Sequence, residues 1–272
     1  MGSPALRFAK YEGLGNDFIV VDGEDCPPLS PDDARALCDR RFGVGADGVL
    51  VVSGTRSDEA RMRVMNADGS VPEMCGNGLR CAALHVARAR GATKVELPFA
   101  TDAGPRPCVV DDTDGAGLVT IDMGIVTVGE TRDVHALGEA WTVTLADAGN
   151  PHAIVHGEVP RERHVAVGAA LSTHSVFPRG TNVELVRFGE RALDLVVFER
   201  GVGLTLACGT GACATVAVGC RAGKLAYGEE ISVRLPGGTL FVTVETDGRA
   251  TMRGPARRVF EGEVRGWRAN PR

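Results

Sequence analysis

The sequence has no C-x-x-C pair, no cluster of basic charge and no long uncharged apolar run. Each absence closes off a class of protein. Lys and Arg number 30 against 35 Asp and Glu, a net charge of -5, and the short basic run Arg253 to Arg258 is broken by Gly254 and Pro255. Nucleic-acid binders carry a basic surface, so no nucleic-acid partner is expected. The uncharged stretch Leu206 to Cys220 falls short of the ~20 residues that cross a bilayer. Met1 to Tyr11 holds no apolar segment of signal-peptide length. A cytoplasmic protein with no membrane partner is therefore expected. Five residues separate Cys75 from Cys81 and four separate Cys208 from Cys213, which is not metal spacing, so no metal site is expected. In a reducing compartment most of the eight cysteines should be small buried apolar residues. Two of them stand apart.

What the chain does have is one internal repeat. Met74-Cys75-Gly76-Asn77-Gly78 resembles Ala207-Cys208-Gly209-Thr210-Gly211, an offset of 133. Gly15-Asn16-Asp17-Phe18-Ile19-Val20 resembles Gly149-Asn150-Pro151-His152-Ala153-Ile154-Val155, offset 134, and Gly45-Ala46-Asp47-Gly48 loosely matches Gly180-Thr181-Asn182-Val183, offset 135. Three matches in one order at nearly one offset indicate two related halves, each of ordinary domain size. We place them at residues 1–124 and 125–261, with a tail of about 262–272 packing back on the first half. The boundary is read from the turn-rich, weakly periodic stretch Asp122 to Arg132.

Short β-branched runs predict strands at Phe18 to Val21, Val49 to Val52, Arg61 to Met65, Leu118 to Ile121, Trp141 to Leu145, Leu193 to Phe198, Ile231 to Leu235 and Thr239 to Val244. Ser30-Pro31-Asp32-Asp33 starts a helix, with a capping serine, a proline suited to the first position and acids that favour the dipole. Two more helices follow the repeated cysteines, Gly76 to Arg90 and Gly209 to Arg221, each stopped by a glycine. Both are apolar on nearly all sides, the mark of a buried helix. The fold class expected is α+β: two pseudosymmetric domains, each a barrel-like β-sheet layer wrapped around a central buried helix.

Each repeated cysteine precedes a helix that opens in glycine. The first N–H groups of a helix lack internal partners and carry the positive dipole end, so such a terminus binds anions and lowers the pKa of a nearby thiol. Two such termini can grip a carboxylate with one sulfur on either side of its α-carbon. One thiolate and one thiol then supply the base and the acid that inversion of an amino-acid stereocentre needs. Packing alone explains a single such cysteine, but not two at matching repeat positions.

Other readings carry less. Gly43-Val44-Gly45-Ala46-Asp47-Gly48 matches a dinucleotide fingerprint as a string, yet a helix precedes it and a strand follows, the reverse of what that loop needs. His85 is expected as a buried histidine of the apolar helix, and His135, His156, His164 and His174 as solvated loop residues. A dithiol redox protein using Cys75 and Cys208 leaves the glycine-led helix termini unexplained.

The same segments resemble the diaminopimelate epimerase family over essentially the whole chain. The likeness is carried by Gly13-Leu14-Gly15-Asn16-Asp17-Phe18, Asn66-Ala67-Asp68-Gly69-Ser70, Met74-Cys75-Gly76-Asn77-Gly78-Leu79-Arg80-Cys81, Gly149-Asn150-Pro151-His152, Gly180-Thr181-Asn182, and Glu199-Arg200-Gly201 running into Ala207-Cys208-Gly209-Thr210-Gly211-Ala212-Cys213. The resemblance implies interconversion of LL- and meso-diaminopimelate, without pyridoxal phosphate or metal, in lysine and peptidoglycan precursor synthesis. It makes Cys75 and Cys208 the proton-transfer residues. Backbone groups at Gly76-Asn77 and Gly209-Thr210 are to hold the reacting carboxylate, and Asn16, Asn66, Asn150, Asn182 and Arg200 the rest of the substrate. His152 and Glu199 are to tune the site, Glu199 also contacting substrate. Arginine suits a second carboxylate and the asparagines suit an amino-acid end, because an amide both donates and accepts. An isomerase of proline-type substrates is the nearest alternative, and it leaves Arg200 and the asparagines without a role. Some relatives carry glutamine where this chain has Gly48, which is expected to contact substrate through backbone. Phe260 stands where relatives often have a tyrosine at the dimer contact, and a homodimer is implied.

Overall fold

The structure is a computed structural model that describes residues 5–72, 74–115 and 117–266. The chain forms two units, Met1–Ile121 with Gly254–Arg272, and Asp122–Arg253. The boundary lies at 121/122 where 124/125 was expected, and the stretch read as turn-rich is strand. The return to the first unit comes at Gly254 rather than near 262, because the last strand pairs along the first. The expected tail beyond 266 lies outside the described residues.

In the first unit β1 (Leu6–Gly13) and β2 (Asn16–Asp22) form an antiparallel pair. Helix α1 (Pro31–Cys38) leads to β3 (Gly48–Ser53), parallel to β2, and then to β4 (Ala60–Asn66), antiparallel to β3. Helix α2 (Gly76–Ala89) follows, and then the short strands β5 (Lys94–Leu97), β6 (Phe99–Thr101), β7 (Gly104–Pro105) and β8 (Cys108–Asp111). Strand β9 (Leu118–Ile125) pairs with β8 and runs across the boundary.

The second unit repeats this plan. Strands β10 (Thr127–Ala136), β11 (Glu139–Asp147) and β12 (Pro151–Val155) lead to α3 (His164–Ser172), β13 (Asn182–Phe188) and β14 (Ala192–Glu199). The pairing is again antiparallel for β11 with β12, parallel for β12 with β13 and antiparallel for β13 with β14. The short β15 (Gly203–Thr205) precedes α4 (Gly209–Arg221), and β16 (Ile231–Leu235), β17 (Gly238–Val244) and β18 (Arg249–Pro255) follow. Strand β16 lies parallel to β14 as β6 lies parallel to β4. Finally β19 (Arg257–Val264) pairs with β1 in the first unit, the place β10 holds beside β11 in the second.

The register fixes the repeat more closely than the sequence did. Phe18 is opposite Gly48, and His152 opposite Asn182, so Gly48 and not Asp47 is the counterpart of Asn182.

Local chemistry explains the helices. Ser30 accepts from Asp33 N at 3.2 Å while the Asp33 carboxylate accepts from Ser30 N at 2.8 Å, a reciprocal cap. Gly91 and Gly223, with φ of 67° and 68°, end α2 and α4 in the left-handed conformation glycine tolerates. Helix α1 covers one face of its sheet, with Leu37 and Cys38 packed among Ile19, Val21, Val49 and Met65. Helix α3 does the same with Val167 and Leu171 among Val143, Val155, Val183 and Leu185. Strand residues alternate between faces, so Phe18 and Leu50, and likewise His152 and Glu184, turn to the opposite face. There lie α2 and α4, each buried along nearly its whole length. No helix among the described residues is long and apolar enough to cross a membrane.

Candidate active site

Within each unit the repeated residues gather at one end of the sheet. The starts of β2 and β3, the end of β4 and the first turn of α2 carry Asn16, Gly48, Asn66 and Cys75-Gly76-Asn77. The starts of β12 and β13, the end of β14 and the first turn of α4 carry Asn150, His152, Asn182, Glu199, Arg200 and Cys208-Gly209-Thr210.

Both cysteines are helix N-caps in nearly the same extended conformation, φ −141° and ψ 109° at Cys75 and φ −132° and ψ 112° at Cys208. Each sulfur accepts from the N–H three residues on, Gly78 and Gly211, at 3.4 Å. A sulfur in that position takes the place of a capping oxygen and is favoured as thiolate by the helix terminus. At Cys208 the balance runs the other way. Its thiol is pushed well up, first by burial and then by the Glu199 carboxylate, against the lowering contacts from Thr210, 3.5 Å from the sulfur, and Gly211 N. Cys75 is half-buried, whereas Cys208 is 6% exposed. Among the described residues no cysteine is in a disulfide, and burial pushes Cys38 and Cys108 up to about 12.

In the first unit the Asn16 amide is committed at both ends. Its Nδ2 donates to Asp47 at 2.7 Å and its Oδ1 accepts from Asn77 Nδ2 at 3.2 Å. Asn66 donates to Ser70 Oγ at 2.9 Å. Gly48 offers backbone only: a Cβ there would sit 2.8 Å from the Met65 carbonyl oxygen, so a side chain requires the strand to shift. In the second unit Asn182 Oδ1 accepts from Arg200 N at 2.9 Å, and Thr205 donates to Glu199 at 2.7 Å. The Arg200 side chain is exposed and donates to the Arg179 carbonyl at 2.6 Å. His152 is buried, bonded to Asn150 at 2.8 Å and to Glu184 at 2.6 Å.

Three polar residues beside these escaped the sequence reading: Asp47, Thr205 and Glu184. For Glu184 a signal existed, a lone acid inside the apolar run Asn182 to Val186. The histidines divide differently from expectation. His85 is half-buried with its ring edge-on to Tyr11, 5.6 Å away, and burial lowers its pKa. His135 lies on β10, and His164 opens α3 instead of a loop.

Residues 8–128 and 144–259 match the family described as diaminopimelate epimerase. The protein of that name from Synechococcus elongatus is 40% identical over 280 residues, covering 96% of this chain and 98% of its own. The one from Synechocystis sp. is 40% identical over 282 residues, covering 96% and 99%. Among solved structures, a protein of Pseudomonas aeruginosa described as a predicted epimerase aligns with a TM-score of 0.76 at 17% identity over 95% of this chain and 99% of that one. A hydroxyproline epimerase from Agrobacterium vitis aligns at 0.75 and 16% identity, covering 97% and 94%. At such identities these two share the fold.

Proposed function

The chain belongs to the diaminopimelate epimerase family, and from that premise we propose that Cys75 and Cys208 pass the α-proton of diaminopimelate between them. It is an isomerase, an amino-acid epimerase of lysine biosynthesis that works without pyridoxal phosphate. The observation that carries the mechanism is the duplicated cap: two sulfurs, each accepting the N–H of a glycine in the first turn of a buried helix. One cysteine as thiolate removes the proton from one face and the other as thiol returns one to the opposite face, so LL- and meso-diaminopimelate interconvert. The α-proton of an amino acid is weakly acidic, and charge builds on the carboxylate as it leaves. The N–H groups at Gly76-Asn77 and Gly209-Thr210 meet that charge, and fixed donors of this kind are worth ~3–4 kcal/mol each in comparable sites. Asn16, Asn66, Asn150, Asn182 and Arg200 hold the remaining groups, Gly48 adds backbone, and His152 and Glu199 tune the site. Thr205, by fixing the Glu199 carboxylate, belongs to the same reading.

The test is LL-diaminopimelate in heavy water with reductant and no cofactor. The α-proton signal should vanish as meso product forms, and both Cys75→Ser and Cys208→Ser should lose at least ~10³-fold in kcat. No exchange by the reduced wild-type protein overturns the substrate, and turnover by either variant near the wild-type rate overturns the two-cysteine mechanism.

The protein is further read as a cytoplasmic homodimer. Supporting the dimer, β19 is the outer strand of its sheet and leaves Val259 and Phe260 about half exposed. Phe260→Asp should convert a dimer to a monomer in light scattering.

A further inference from the structure

Corresponding positions on the inner face of the two sheets differ in kind. Beneath the first turn of α2 lies Leu50, whose Cδ2 would be 3.0 Å from a Cβ on Gly78. Beneath the first turn of α4 the counterpart is Glu184, whose Oε1 would be 2.9 Å from a Cβ on Gly211. Likewise Phe18 in one half answers His152 in the other. The Glu184 and His152 side chains are both 0% exposed, with His152 Nδ1 2.6 Å from Glu184 Oε1. The second oxygen of Glu184 has no hydrogen-bond partner among the described residues. An ionisable pair placed wholly in a core is costly, and replacing it by apolar groups is commonly neutral or stabilising. Packing therefore gives no reason for it.

Proton counting gives one. His152 Nε2 lies 2.8 Å from Asn150 Oδ1, and an amide oxygen only accepts, so Nε2 carries a hydrogen. Nδ1 then either carries a second hydrogen facing a carboxylate, or accepts one from a protonated carboxyl. Burial raises the pKa of Glu184 and His152 lowers it. The two forms hold the same number of protons and make the same bond to Asn150. We propose that Glu184 is a positioning residue for the epimerisation: by sharing a proton with His152 it keeps a hydrogen on His152 Nε2 and so fixes the Asn150 amide, its NH₂ group left for the substrate. This rests on the reading of Asn150 as substrate-binding. It also gives the two matching asparagines different supports, since Asn16 is held by Asp47 and Asn77.

The experiment is steady-state kinetics on the full chain with LL-diaminopimelate, joined to ¹⁵N-histidine NMR. Glu184→Leu copies the other half and leaves Nδ1 without a partner. Its KM should rise about tenfold with kcat changed less than about threefold, as for loss of a contact made equally in ground and transition states. Glu184→Gln, whose amide can donate to Nδ1, should bring KM back to within about threefold of wild type. In an Asn150→Ala background, Glu184→Leu should add less than about twofold, because the residue it serves is gone. In wild-type protein His152 Nε2 should be protonated throughout pH 6 to 9, with the signal assigned by its loss in His152→Gln. Equal effects of Glu184→Leu with and without Asn150, or no recovery in Glu184→Gln, overturn the proposal. A bare Nε2 does so even if the leucine variant fails to fold. A wild-type protein that exchanges no α-proton overturns the substrate assignment instead, and the NMR still reads the pair.

Discussion

Asp17 sits next to Asn16 and shows how one charge is held at the edge of the site. Its carboxylate meets Lys10 at 2.5 Å and Arg40 at 2.6 Å, and its side chain is 18% exposed. Burial alone would raise its pKa, but the hydrogen bonds from Arg40 and Lys10 prevail and hold it at about 2. A depressed carboxylate contributes stability that is complete above its unfolded value near 4 and is lost as pH falls through the folded one. Asp17→Asn should thus cost about 2 kcal/mol at pH 6, and its urea midpoint should converge with wild type toward pH 2. The same residue scale shows what a sequence can reveal about chemistry. Cys75 and Cys208 stood out because each supplied the control for the other. Glu184 did not, because its meaning depends on strand parity and on a histidine 32 positions away, neither visible until β12 and β13 are paired.

At the scale of elements, helices with local signals were legible and those without were not. Helix α1 announced itself by its reciprocal cap, and Ser30→Ala should lower the stability of the fold by ~1 kcal/mol in denaturant titration. Helix α3 has no side-chain cap and follows directly on a 3₁₀ turn, so nothing in its sequence marks a start. All eight expected strands lie inside observed ones. Those that went unseen include β19, which pairs only with the distant β1, and β1 and β13, each of which has one neighbour next in sequence and one distant from it. The two cysteine-capped helix starts look alike but should not tolerate change alike. Gly211→Ala would press a methyl group onto Glu184 Oε1 at 2.9 Å and Cys208 Sγ at 3.3 Å. Gly78→Ala meets the apolar end of Leu50 at 3.0 Å and Cys75 Sγ at 3.4 Å. Overpacking commonly costs ~1–3 kcal/mol, so kcat/KM should fall at least about tenfold in Gly211→Ala and by less in Gly78→Ala.

At the scale of the whole molecule, the first unit depends on a strand that arrives last. Strand β19 pairs with β1 from Leu6↔Val264 to Glu12↔Arg257, and Arg257 reaches Glu12 at 3.0 Å. The fully buried Arg80 of α2 donates to Pro255 O at 3.1 Å just before that strand. A chain ending at residue 256 should lose cooperative unfolding in calorimetry and bind a hydrophobic dye, because β1 becomes a bare edge over an uncovered core.

The β19–β1 pair also has a counterpart that is closed by a turn. In the other half the equivalent strands, β10 and β11, are joined by the tight turn Leu137-Gly138, both at positive φ, 55° and 80°. The start of β1 at Leu6 and the end of β19 at Val264 therefore face each other where the second unit has a hairpin turn. Bridging Val264 to Leu6 with a short loop and cutting between Leu137 and Gly138 should give a circular permutant with the same fold and the same two cysteines, in which the interrupted unit is the one that carries Cys208.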